Sequence, residues 1–178
     1  MSTELVARRT YLDKARRTIN LSSLTPLVAK PDSVIRNSFA VAEVAGEPIN
    51  QAFIGSCANG TLDDLAAAAR AVAGKRVAPG VRLLVTPGSQ ATFRTALRAG
   101  YVQTLMDAGA VVTPATCGAC YGGHMGVLGP NEVCVTSSTR NFKGRMGDAT
   151  ARIYRASSAT VAASAIAGHL AAWEGDAA

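Results

Sequence analysis

Residues 51–74 read QAFIGSCANGTLDDLAAAARAVAG. The opening run, 51–55, is apolar and ends in glycine, as a short buried strand does when it runs into a tight turn. Thr61 then offers a hydroxyl to cap a helix. Asp63 and Asp64 fall in its first turn, where carboxylates suit the positive end of the dipole. The alanine-rich stretch 65–73 continues the helix, and Gly74 supplies a left-handed stop. A strand, a glycine-punctuated turn and a capped helix in that order form the first half of a βαβ unit.

The same alternation continues outward. Residues 81–85 read as the next strand, Ser89 starts a helix through 97 that breaks at Gly100, and a second helix covers 101–108. Further strands are expected at 110–112 and 133–136, and a final helix rich in small residues at 156–170. This spacing predicts an α/β fold: a layered, mostly parallel sheet flanked by helices. Residues 1–50 differ. Their short extended pieces, 24–29 and 39–44, are broken by Pro26, Pro31, Gly46 and Pro48, which predicts a partly extended N-terminal arm laid along a domain spanning 51–178.

The chain's 178 residues suit one domain, and 48% hydrophobic residues exclude global disorder. A chain of this size needs no disulfide staples. No apolar run approaches the roughly 20 residues that span a bilayer, and the first residues, MSTELVARRTYLDKARR, lack the apolar stretch of a secretory signal. The expectation is a cytoplasmic protein whose four cysteines are thiols or metal ligands. The net charge is +6, of which residues 1–17 carry +3: Arg8, Arg9, Lys14, Arg16 and Arg17 against Glu4 and Asp13. Only 5% of residues are aromatic, too few to build stacking platforms for single strands, and no nucleic-acid-binding signature is present. The positive charge therefore points away from nucleic acid and towards a solvated basic face or a site for a small polyanion.

The unusual residues gather after strands. Segments 54–60 (IGSCANG), 116–124 (TCGACYGGH) and 137–145 (SSTRNFKGR) each follow the C-terminal end of an expected strand, the rim where ligands collect in open α/β sheets. Cys117 and Cys120 form a Cys-x-x-Cys pair, with Cys57 arriving from a distant loop among glycines that permit close backbone approach. Three functional readings fit: a redox pair of Cys117 and Cys120, a zinc site completed by His124, or an iron–sulfur cluster held by three cysteines with one iron open. Three small buried thiols with no ligand is the bland alternative. Cys134, in the middle of a strand, reads as a core residue, and His169, at the end of the last helix, as a dipole-compatible surface residue. Arg140 and Arg145, in a loop with Ser137, Ser138 and Gly144, would suit a substrate bearing carboxylates; a basic surface loop is the alternative.

Taken together, Gly-Ser-Cys-Ala-Asn-Gly at 55–60, Cys-Gly-Ala-Cys-Tyr-Gly-Gly-His-Met-Gly at 117–126 and Arg-Asn-Phe-Lys-Gly-Arg-Met-Gly at 140–147 resemble the aconitase and isopropylmalate dehydratase superfamily. The resemblance covers about residues 24–170 and looks closest to the third, cluster-binding domain of the large subunits of the isopropylmalate dehydratase and homoaconitase branch. It implies that Cys57, Cys117 and Cys120 bind a [4Fe-4S] cluster whose open iron meets the substrate, and that Arg140 and Arg145 hold substrate carboxylates, with Asn141 in the same substrate-binding loop. The chain departs from the family pattern at Ala58 (usually Thr), Ala119 (usually Pro) and Thr139 (usually Asn). The resemblance further implies two preceding domains that bring histidines and acids, and a swivelling domain or small subunit that brings a serine, none of which fits in 178 residues, so the chain is expected to be one piece of a split enzyme, a fragment or a paralogue with another job. The expected function is therefore a cluster-binding subunit of a hydro-lyase acting on 2-isopropylmalate or a related hydroxy di- or tricarboxylate, inactive by itself. A non-catalytic metal- or ligand-binding module on the same fold is the alternative.

Overall fold

The computed structural model describes residues 24–33 and 35–175, so the basic cluster within 1–17 lies outside the described residues. Seven strands form one sheet: β1 (Leu27–Ala29), β2 (Ser38–Ala40), β3 (Gln51–Gly55), β4 (Arg82–Thr86), β5 (Val111–Val112), β6 (Val133–Thr136) and β7 (Arg152–Ala156). Their order is β2-β1-β7-β6-β3-β4-β5. The five strands from β7 to β5 are parallel, and β1 and β2 add an antiparallel extension at the β7 edge. From β3 the chain first steps one way, to β4 and β5, then returns to the other side for β6 and β7. That reversal opens a crevice at the C-terminal ends of β3 and β6.

Strand alternation sorts the residues onto two unlike faces. One face presents Ala52, Ile54, Leu83, Val85, Val133, Val135 and Tyr154 to a layer of helices. These are α2 (Leu62–Val72), α3 (Gln90–Arg98), α4 (Tyr101–Asp107) and α5 (Ser158–Ala167); a single turn, α1 (Ser56–Asn59), precedes them. Alanines 68, 69 and 71 of α2 and 162 and 165 of α5 are buried and keep this layer thin. The opposite face presents Phe53, Leu84, Cys134 and Ile153. Among the described residues it has no helix layer. It is covered by the irregular segment 113–150, through Ala119, Cys120, Leu128 and Met146. The cysteine segment therefore belongs to the smaller of the two core clusters as well as forming a rim loop.

Sequence and structure differ at β7. The final helix expected over 156–170 is present as α5, which starts at Ser158 and stops at Gly168 in a left-handed conformation, but the strand over Arg152–Ala156 before it was not expected. Arginines flank the apolar pair Ile153 and Tyr154, so 152–156 carries a weak strand signal by itself; its pairing with β6 and β1 makes it a strand. In the arm, Val41–Glu43 forms a 3-10 turn where extended chain was expected. Asn141 anchors the arm. Its amide donates to the carbonyls of Lys30 (2.7 Å), Ser33 (3.1 Å) and Ile153 (3.3 Å). Two ion pairs, Arg82–Glu132 (2.8 Å) and Arg152–Glu47 (2.6 Å), sit at the N-terminal end of the sheet, and Arg82 holds the Glu132 carboxyl below the usual range.

Two predictions follow from these contacts. Asn141→Ala removes the link between arm and sheet, leaving the Lys30 and Ser33 carbonyls with Asn37 as their side-chain donor, and should cost about 1–3 kcal/mol in urea unfolding; a midpoint equal to wild type would remove the anchor. Burial pushes the Cys134 thiol from its ordinary value near 9 up to about 12. The native state then keeps a proton that the unfolded chain releases, so stability should fall as pH rises from about 9 to about 12. In Cys134→Ala that decline should be shallower, as measured by unfolding across this range.

Candidate functional site

Thr86, the last residue of β4, is buried and hydrogen-bonded to Thr113, Oγ1 to Oγ1 at 2.8 Å. Three glycines crowd it. A Cβ on Gly55 would collide with its carbonyl oxygen, one on Gly60 would stand 2.6 Å from the same oxygen, and one on Gly118 would stand 2.6 Å from Oγ1 and 3.1 Å from the Phe53 ring. Gly55 and Gly118 also hold positive φ of 121° and 54°, which glycine adopts without strain. Both cysteine loops are thereby drawn to one strand end: Cys57 is two residues past Gly55, and Cys117 is one before Gly118.

The third loop closes on the first two. Ser137 accepts a bond from the Gly55 amide on Oγ (3.0 Å) and one from the Asn59 side-chain amide on its carbonyl. Arg145 reaches the cysteine segment, donating from Nε to the Cys120 carbonyl (2.7 Å) and from Nη2 towards Cys120 Sγ (3.7 Å), with its guanidinium 5.6 Å from the Phe142 ring. Gly122 packs against the backbone of Met146 and Gly147. Arg140 is exposed and donates only to the carbonyl of its neighbour Thr139 (3.1 Å). Neither arginine is paired with a carboxylate among the described residues. Asn141 is in the same loop, but its amide is committed to the arm.

All four cysteines are free thiols, with Cys57 and Cys117 exposed and Cys120 and Cys134 buried. Cys57 lines a cleft with Thr61, Gly88, Ser89 and Thr92, and Cys117 a second, of about 260 Å³, with Thr116, Tyr121 and His124. Cys134 belongs to the core beneath Cys120, away from the clefts. His169 sits past the α5 cap, bridged to Pro48 at the other end of the molecule. Among the described residues, no three His, Cys, Asp or Glu side chains are gathered tightly enough to enclose one metal ion. A multi-iron cluster asks for something different, because each cysteine binds a separate iron and the sulfurs stand apart around an inorganic core. The residues beside the cysteines suit such a core. Ser56 Oγ and Ser138 Oγ are buried with no hydrogen-bond partner, at the crevice between β3 and β6, and can donate to an acceptor placed there. Ser56 holds a positive φ of 72°, a conformation uncommon outside glycine. The capped N-termini of α2, α3 and α5 follow β3, β4 and β7 and turn their positive ends to the same rim.

Thr86, Asn59 and Arg155 contribute to this rim without having been singled out in the sequence. Asn59 stands inside a quoted motif, but its partner on Ser137 is visible only once β3 and β6 are known to be neighbours. Arg155 went unnoticed because β7 did.

Comparison with known proteins agrees with this arrangement. Residues 14–168 match the model of the aconitase family (aconitate hydratase). The chain is 64% identical over 156 residues to a 3-isopropylmalate dehydratase large subunit of Mycolicibacterium smegmatis, covering 88% of this chain and 37% of that protein. It is 51% identical over 152 residues to a homoaconitase large subunit of Thermus thermophilus, covering 85% and 36%. The chain thus spans little more than a third of the length of these relatives. With the matched segment containing every strand of the sheet and all three rim loops, the chain belongs to the aconitase family.

Proposed function

We propose that this chain is the cluster-binding portion of a hydro-lyase that dehydrates and rehydrates 2-isopropylmalate or a related hydroxy di- or tricarboxylate in the cytoplasm. The observation that carries the reading is the meeting of three loops at one crevice: two bring free cysteines, and the third brings arginines with no acidic partner among the described residues. The names of the relatives support the choice of reaction.

Cys57, Cys117 and Cys120 would hold a [4Fe-4S] cluster, which when bound supplies an open iron as Lewis acid for the departing hydroxyl. The protein's own groups do the rest. Arg145, already directed at Cys120, would turn its remaining donors to a substrate carboxylate, and Arg140 would take a second from the exposed side of the same loop. Ser56 and Ser138 would donate to the cluster's sulfides, satisfying hydroxyls that otherwise stay bare. Asn141 would serve the site indirectly, by fixing the loop that carries both arginines. Tyr121 and Phe142, each about half exposed (50% and 47%), would keep water from the cysteine side. Acid–base groups would come from outside the residues of this sequence, including a serine-bearing swivelling domain of a partner chain.

After anaerobic reconstitution the chain should retain iron and sulfide with a broad brown absorbance. Cys57→Ser, Cys117→Ser or Cys120→Ser should lose it, and Cys134→Ala should keep it. Stoichiometric zinc without sulfide would overturn the cluster. Alone, the chain should not turn over isopropylmalate, and activity should appear only on adding the partner chains. In the assembled enzyme, Arg140→Lys and Arg145→Lys should each weaken substrate binding about ten- to hundredfold with iron content intact, since the charge stays and the fork is lost. Unchanged affinity in both would leave only the cysteines in the site.

A further inference from the structure

We propose that Arg155 forms an oxyanion site on the arm side of the rim, able to take a carboxylate or phosphate group beyond those held at Arg145 and Arg140. The strand register defines it. Ser38 of β2 pairs with Ala29 of β1, Ala29 with Arg155 of β7, and Arg155 with Thr136 of β6. Paired residues point to the same face, and Ile153 and Phe53 identify that face as the one covered by the cysteine segment. Ala29 is small, so a cleft of about 180 Å³ remains between Ser38 and Arg155, bordered by Ser157.

Arg155 is half-buried and fixed. Its Nε donates to the Ser138 carbonyl at 2.7 Å, while both terminal NH2 groups have no partner among the described residues. Ser157 caps α5, a helix of ten residues whose positive end borders the cleft. Arg82 and Arg152 each have a glutamate, whereas Arg155 has no acid among the described residues. Burial first, and then the charge of Arg140, lower the Arg155 pKa. An oxyanion in the cleft removes the cost of a half-buried, unpaired cation, with the guanidinium fork matched to two of its oxygens.

Nothing in this site requires a cluster, so the test uses the full iron-free chain. Tricarballylate, succinate and inorganic phosphate are titrated separately, with calorimetry and the Arg155 Nε–Hε NMR signal as readouts. A saturable shift of that signal is expected in the wild type, while the calorimetric affinity should fall at least about tenfold in Arg155→Gln and be partly restored in Arg155→Lys. Ser38→Asp, at an exposed position, sets a carboxylate across Ala29 from Arg155 and should block the added anion by occupying the site itself; it also carries the test if Arg155→Gln fails to fold. Arg145→Lys should leave the Arg155 response in place, which separates this site from the carboxylate site beside Cys120. Preference for tricarballylate over succinate and phosphate supports a site for the third acid of a tricarboxylate, and equal binding of phosphate supports a free oxyanion site. No saturable shift with any of the three, or equal affinities in wild type, Arg155→Gln and Ser38→Asp, would overturn the proposal.

Discussion

The rim is organised by how closely three stretches of backbone crowd Thr86. Gly55, Gly60 and Gly118 approach it from β3, from the turn after α1 and from the cysteine segment, each at a distance that a methyl group would violate. Glycine in ordered structure costs about 0.5–1 kcal/mol against alanine in backbone entropy, and here the cost is offset by contacts no larger residue permits. The glycines beside the cysteines therefore have a purpose independent of any metal. They bring Cys57 and Cys117, sixty positions apart in the chain, to one strand end.

The two faces of the sheet divide the work. Against the helices, alanine and valine dominate and the packing is that of any α/β protein. The other face carries a cover with little regular structure, and its buried polar groups must find partners one at a time. Across the cover, the Leu128 amide donates to the Met146 carbonyl and the Leu128 carbonyl accepts from the Asp148 amide, and Gln51, buried within β3, donates to the Gly126 carbonyl at 2.8 Å. Cys120 and Met146 lie in the same apolar cluster as Cys134. A change in the cysteine segment is thus also a change in the core, so variants there need a stability measurement beside any functional one.

Most of the sheet could be read from the sequence because its strands are short apolar runs ending in glycine or threonine, followed by capped helices. The strand at 152–156 could not. Its ends are arginines whose partners, Glu47 and the Ser138 carbonyl, are far away or lie in an irregular loop. The glycine and cysteine motifs located the rim, because close approach and sulfur chemistry both leave marks on residue type. Asn141 was legible as a member of the loop, but its hydrogen bonds to Lys30 and Ser33 depend on an arm with no periodic pattern. Nor does spacing along the chain distinguish Arg145, which turns inward to Cys120, from Arg140, which stays outside.

The ion pairs and the unpaired arginines lie at opposite ends of the parallel strands. Glu132 and Glu47 neutralise Arg82 and Arg152 where β4 and β7 begin, whereas Arg140, Arg145 and Arg155 stand uncompensated by described acids beyond the ends of β6 and β7. The positive helix termini add to the second end. The crevice end consequently carries a local patch of unpaired positive charge. A small polyanion diffusing nearby is drawn towards that patch and tends to meet the molecule rim-first. Such orientation acts over about a Debye length and shrinks as salt is added, so the rate of encounter should be more sensitive to ionic strength than the lifetime of the complex.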